Sequence, residues 1–411
     1  MTKLKSLLLG SAGAAVLLST SPVAMAADAP MAAGREPVYR CETTGFWEIP
    51  GTDSCIKIGG RMRFYAGANE DNLNNGAAGF NDDWWAGYIA VPDNVLAAHT
   101  PTDTFWMHAE YRLNIDVRSQ TEYGLLRGFF EVEANDNDGN TGGSPAMRHA
   151  YVQIGNFLMG KTWSLWTDLS YANYSGALTI PGDDYLRVVQ ARYTQPFGNG
   201  FELAVALEDP ARHATSTVGG AGVVDSRNEA PAGIARLSVK GDWGQAYVSG
   251  AVVDNSVTGA FGSEHEMGFA VGAGLTVNVP TGEGDALFLR GTYTDGASRY
   301  STSTGAGSIV VGATSYETVE ITSGLIGFTH NWSPSLNSSI GAGYTDIDYN
   351  VANLGATDNL LGVFANIYWT PVKNFEVGLD VTWGRREINA APGADDDGDS
   401  LGVLFQATRY F

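Results

Sequence analysis

From Ile56 onward one pattern recurs: apolar and polar residues alternate for about ten positions, then the chain breaks into Gly, Asn, Asp and Pro. Successive side chains of an extended strand point to opposite faces, so each stretch reads as a strand with one greasy and one wet face. Thr104 to Arg118 is the clearest case. Phe105, Met107, Ala109, Tyr111, Leu113, Ile115 and Val117 share one face, while His108, Glu110, Arg112, Asn114, Asp116 and Arg118 share the other with Trp106. The alternation returns in Ile56, Ile58, Met62 and Phe64 against Lys57, Arg61 and Arg63, and again in Phe201 to Leu207, Met267 to Val279 and Phe375 to Trp383. Two architectures bury or cover such faces: a soluble sandwich, or a closed sheet whose greasy side meets lipid and whose wet side lines water.

Connection lengths separate the two. Short turns fall near Ser119 to Thr121, Gly155 to Asn156, Gly198 to Gly200, Gly241 to Gly244, Pro280 to Asp285, Asn331 to Ser335 and Pro371 to Asn374. Longer loops run from Gly67 to Asp103, Asn135 to Ser144, Ser164 to Tyr185, Asp209 to Pro231, Asp254 to Glu264, Asp295 to Ser315, Asp346 to Asn359 and Gly384 to Asp399. Seven turns alternating with eight loops join sixteen strands, an even number that lets an antiparallel barrel close. The expected fold class is therefore all-β, a 16-stranded antiparallel transmembrane β-barrel over 56–411. In Val319 to His330 the phase of alternation slips.

The chain's 52 glycines among 411 residues suit many tight turns. A mean hydropathy of −0.10, with no long apolar run beyond the N-terminus, excludes a bundle of membrane helices but not a barrel. A formal net charge of −21 gives no basic footprint for nucleic acid. Many acids fall in loops, such as Asn135 to Asp138 and Asp395 to Asp399, and neither run has the full calcium-loop pattern.

Residues 1–26 have the three parts of a secretory signal: Lys3 and Lys5, an apolar stretch from Leu7 to Leu18, and Ala24-Met25-Ala26 as a cleavage site. Residues 27–55 then form a periplasmic N-terminal segment. In an oxidising compartment the only two cysteines, Cys41 and Cys55, read as a disulfide, with a pair of free thiols as the alternative. Gly155 to Thr162 satisfies the phosphate-loop pattern letter for letter, yet no helix start follows, so Gly155-Asn156 reads as a turn and Phe157 to Trp163 as the fifth strand. Histidine spacing fits no metal motif and no serine sits in a nucleophile elbow; no enzyme activity, cofactor or metal is expected. Tyr111, Trp369, Trp383 and Phe411 read as girdle residues at the membrane interfaces.

Cys41 to Tyr65 (CETTGFWEIPGTDSCIKIGGRMRFY), Asn114 to Ala134 and the final LGVLFQATRYF resemble the general porins of alphaproteobacterial outer membranes, the Brucella and rhizobial type. The resemblance spans nearly the whole chain. It implies an outer-membrane location, a homotrimer, and a third loop folded into the lumen. It also implies contact with lipopolysaccharide and outer-membrane lipids, and passive diffusion of small hydrophilic solutes and ions. The closing strand, with Phe405 and Phe411 on its apolar face, resembles the C-terminal signal read by the outer-membrane assembly machinery, and Arg409 interrupts that face. On this reading Arg61, Arg63, Arg112 and Arg127 form a basic wall in the pore, opposed by Asp168, Asp183 and Asp184 of the third loop. The competing reading pairs these arginines with Glu110, Asp116, Glu131 and Glu133 on neighbouring strands. A sugar-selective channel that stacks solutes on Trp163, Trp166, Tyr171 and Tyr174 is one functional alternative. A closed structural or adhesive barrel is another.

Overall fold

The alternating stretches become strands because successive side chains point to opposite faces of the pleat, so an alternating sequence sorts its apolar residues to one side. The structure is a computed structural model that describes residues 41, 45–71, 104–135, 145–168, 180–182, 186–210, 223–227, 229–259, 261–301, 307–312, 314–351, 357–389 and 397–411. The signal segment 1–26 and the acids Asp183 and Asp184 lie outside the described residues.

Sixteen antiparallel strands form one ring. They are β1 (Cys55–Asp71), β2 (Thr104–Thr121), β3 (Gly124–Asn135), β4 (Ala146–Ile154), β5 (Phe157–Trp163), β6 (Arg187–Gly198), β7 (Phe201–Glu208) and β8 (Ala232–Gly241). The second half comprises β9 (Gly244–Gly259), β10 (Gly262–Asn278), β11 (Ala286–Asp295), β12 (Glu320–Ser333), β13 (Leu336–Asp348), β14 (Thr357–Val372), β15 (Phe375–Ile388) and β16 (Asp397–Tyr410). Each pairs with the next, and β16 returns to β1 from Arg61↔Tyr410 to Asp71↔Ser400, which closes the sheet and leaves no ring edge unpaired. Gly60 and Phe411 seal the seam by exchanging backbone hydrogen bonds of 3.2 and 3.1 Å. Two short strands, Trp47–Glu48 and Val223–Arg227, add to β1 and β9, and Ile309–Val311 pairs with Tyr316–Thr318 as a separate hairpin.

Outward positions such as Met62, Phe105, Met107, Leu207, Val271, Ile340 and Ile367 are exposed apolar side chains; inward positions such as Arg63, Glu110, Asp116, Thr345 and Thr408 are covered. At the short-turn end Tyr123, Phe157, Phe197, Trp243, Trp332, Trp369 and Phe411 are all exposed, a run of rings of the kind that settles at a membrane–water interface. Arg409 breaks the apolar face, and its guanidinium donates to the carbonyls of Lys373 and Asn374 in the neighbouring turn.

Three sequence expectations shift. The first turn lies at Glu122-Tyr123, not at Ser119 to Thr121, since β2 stays paired as far as Thr121↔Gly124. The long loop expected over Asp254 to Glu264 is instead a ladder that runs to Gly259↔Gly262, with Asn255 and Val257 fully covered on its inner face. The slip in Val319 to His330 is real chemistry: Ile321 and Leu325 point inward, where they meet apolar residues lying inside the barrel. The phosphate-loop look-alike is a turn and a strand, with Gly155 at φ +51°.

Candidate functional site

The inner face of β1 to β4 carries a tier of paired charges. Register sets Arg61 opposite Arg112, Arg63 opposite Glu110, and Arg112 opposite Glu133. Like charges side by side are tolerable only if carboxylates interleave them, and they do. Arg61 Nε donates to Glu110 Oε1 at 2.6 Å, and Arg112 donates to Glu133 through Nε at 2.7 Å and also through Nη2. Arg148 bridges Glu131 at 3.0 Å and Glu133 at 2.6 Å. Arg63 lies deeper, donating to Thr408 at 2.9 Å and to the Tyr65 hydroxyl at 2.7 Å, which in turn donates to Glu110 at 3.2 Å. The side chains of Arg61 and Arg112 remain 14% and 17% exposed, so the tier lines space open to water.

The pairs with Glu110, Glu131 and Glu133 that the competing reading expects are thus present, and they hold the guanidinium groups side by side. Arg127 does not join them. It faces Arg118 across the β2–β3 ladder, six residues from Arg112, or about 20 Å along the strand. There both arginines clamp Asp116, Arg118 at 3.1 and 2.7 Å and Arg127 at 3.0 and 2.9 Å, while Arg127 also lies over the Phe129 and Tyr151 rings. Arg148 escaped the sequence reading for a definite reason. The register shifts between Glu131 and Val132, so a bulge in β4 turns Arg148 and His149 inward together, against strict alternation.

The described parts of the third loop lie against the barrel's inner surface. Glu208 accepts hydrogen bonds from the Ser164 hydroxyl at 2.9 Å and the Leu165 amide at 2.8 Å. Arg236 donates to the Leu165 and Thr167 carbonyls at 3.1 and 3.0 Å. Leu165 and Trp166 then pack on Ala204, Ala206, Ala232, Ile234, Ala251, Val253 and Ala270, the inward residues of β7 to β10. Farther along, Ile180 packs with Phe288, Leu325 and Phe364 of β11, β12 and β14.

Of the three loop acids Asp168 is the described one, and its carboxylate sits 3.8 Å from Arg236 on β8. Trp166 is 2% exposed, locked in the loop-to-wall core and closed to a stacking solute; Trp163 is edge-on to His149 and lies under Arg187; Tyr171 and Tyr174 fall outside the described residues. Sequence reasoning missed Glu208 and Arg236, the two charges that hold the loop. The inward phase of Ile234, Arg236 and Ser238 was the available signal.

With the geometry in place, the sequence profile of the porin subfamily matches residues 28–401. The chain belongs to the porin subfamily. Porin Omp2b of Brucella suis biovar 1 is 28% identical over 273 residues, 62% of this chain and 66% of that protein. Porin Omp2b of Brucella abortus strain 2308 is 29% identical over 222 residues, 50% of this chain and 54% of its own. The matched stretch thus spans between about half and two thirds of these relatives' length. Among solved structures, the outer membrane channel DcaP of Acinetobacter baumannii matches with a TM-score of 0.70 at 21% identity, covering 87% of this chain and 97% of that one. OmpT of Vibrio cholerae follows at 0.51 and 11% identity, covering 89% and 100%. These last two are likenesses of fold. The resemblance to Brucella-type porins, the sixteen-stranded closed barrel and the Cys41–Cys55 disulfide, with Cα atoms 5.7 Å apart, all agree with the sequence reading.

Proposed function

We propose that this porin forms a water-filled channel in the outer membrane for passive diffusion of small hydrophilic solutes and ions. The observation that carries the reading is the division of the barrel's inner face. Charged, partly wet side chains line β1 to β4, while the loop segments cover the apolar inner residues of β7 to β14. The aqueous path then runs along the arginine tier. Fixed charges of both signs beside a narrow gap order water and orient polar solutes, and they disfavour apolar ones. Arg61, Arg63 and Arg112, with Arg148, are the constriction residues on this reading, and Arg127 with Arg118 forms a second charged station nearer the short-turn end. Asp183 and Asp184 supply acid from the loop side. Residues 1–26 are removed on export, 27–55 stay at the periplasmic face, and Phe405 and Phe411 present the assembly signal. The working form is a homotrimer seated among lipopolysaccharide and outer-membrane lipids, and it carries out no chemistry.

Liposome swelling with neutral sugars of rising size tests this. Rates that fall steeply with solute size support a diffusion channel. Liposomes that fail to swell in any sugar, although the protein shows a heat-modifiable folded band, overturn it.

A further inference from the structure

We infer that the constriction is built by two loops, and that Tyr300 is a positioning residue that holds the third loop in place from the connection between β11 and β12. This inference rests on the channel reading and deepens it. The connection spans 296–319 and begins with a 3-10 turn, Ser298–Tyr300, whose Ser298 and Tyr300 are buried although no strand contains them. Tyr300 is 0% exposed and its ring lies 5.0 Å from that of Trp166, tilted by 43°. The two rings belong to one apolar cluster with Leu165, Leu186 and Ala297 and with the inward alanines of β7 to β10. Trp166 therefore lies between the inner wall and a second loop.

That second loop is itself anchored to the inside of the barrel. The Asn255 amide of β9, fully covered, donates to the Gly296 carbonyl at 2.7 Å. Gly268 of β10 leaves the room this approach needs, since a Cβ there would overlap the same carbonyl. Ser301 shares a hydroxyl cluster with Thr292 and Ser323 on β11 and β12, with Ser301–Ser323 at 2.9 Å. Beyond the turn, Ile309 packs with Val257 and Tyr316, and Val310 with Val319, Ile321, Ile347 and Tyr349. A loop meant only to shield the outer surface has no reason to bury so many side chains against the inner faces of β9 to β13. Its packed position supplies the ring that keeps Trp166 seated.

The consequence for transport is specific. Glu208 and Arg236 fix the backbone where the third loop leaves β5, but Trp166 is held by packing. Without the Tyr300 ring, the loop exchanges between seated and displaced positions inside the open channel. An aromatic pair of this kind is worth enough that its loss raises the displaced population about 2- to 12-fold.

Single-channel recordings of the full-length trimer test the proposal, with Tyr300→Ala, Tyr300→Phe and Gly272→Ala compared with wild type. Gly272 lies under Trp166, where an added Cβ would stand 2.9 Å from the indole Cζ2, so this variant pushes the same ring from the wall side. The expected result is a 2- to 12-fold rise in time spent in sub-conductance states for Tyr300→Ala and Gly272→Ala, with Tyr300→Phe close to wild type. Tyr300→Ala channels that conduct with wild-type noise overturn the positioning role, as do folded variants that lose only heat resistance. Failure of wild type itself to conduct defeats the channel reading instead. Should Tyr300→Ala not assemble, Gly272→Ala alone decides.

Discussion

Neutralising Arg112 with a shorter polar side chain, as Arg112→Gln, should make the pore more cation-selective by a calculable amount. Within the tier Arg61, Arg63, Arg112 and Arg148 face Glu110, Glu131 and Glu133, a formal excess of one positive charge that the substitution removes. For an ion passing about 6 Å from the missing charge in water, with a Debye length near 8 Å, the change in interaction is about 0.3 kcal/mol. Acting with opposite sign on cation and anion, this changes the permeability ratio about threefold, which moves the zero-current potential by roughly 20 mV in a tenfold salt gradient. Glu133→Gln, which removes the partner carboxylate, should shift the potential by a similar amount in the opposite direction. Planar-bilayer reversal potentials read both. Shifts of the same sign for the two variants, or none for either, would refute the view that this tier sets the field along the path.

Three further outcomes follow from local geometry. Gly343→Ala places a Cβ into the Pro181 carbonyl, an overlap that costs about 1–3 kcal/mol unless the loop gives way, so its conductance should differ from wild type; Gly324→Ala on the adjacent strand, with its nearest neighbour at 3.6 Å, should not differ. The Asp285 carboxylate in the β10–β11 turn is held down to about 2 by hydrogen bonds from the Thr281 hydroxyl, the Asn331 amide and His330. Its contribution is present above the usual carboxylate range and is lost as pH falls through about 2, so Asn331 amide protection should drop between about pH 4 and pH 2 in wild type but stay flat in Asp285→Asn. Replacing both cysteines by serine removes a cross-link over 13 intervening residues, worth about 3 kcal/mol in the chain-entropy account; thermolysin should then cut 45–54 faster while the barrel keeps its heat-modifiable mobility.

The strands were legible because lipid on one side and water on the other impose the same period-two code on every wall segment. The code becomes ambiguous where a third surface intervenes. Ile321 and Leu325 look out of phase only until the loop residues that cover them from inside are known. Asn255 and Val257 read as loop because a long tall hairpin and a flexible excursion share the same Ser, Thr, Gly and Asn content. At the site, alternation placed Arg61, Arg63 and Arg112 inward correctly, but their heights came from register, which no single strand contains. Arg127 thus fell in a different cluster, and a one-residue bulge hid Arg148. Glu208, Arg236 and Tyr300 had no motif to announce them: alternation could place Arg236 inward, but the roles of all three arise from a loop meeting the wall at a distance of dozens of residues.

The most direct measurement is ionic current through the purified, folded protein added to a planar lipid bilayer. Stepwise, ohmic current increments of uniform size are predicted as channels insert. A heat-modifiable barrel that inserts and passes no current would contradict an open, water-lined interior.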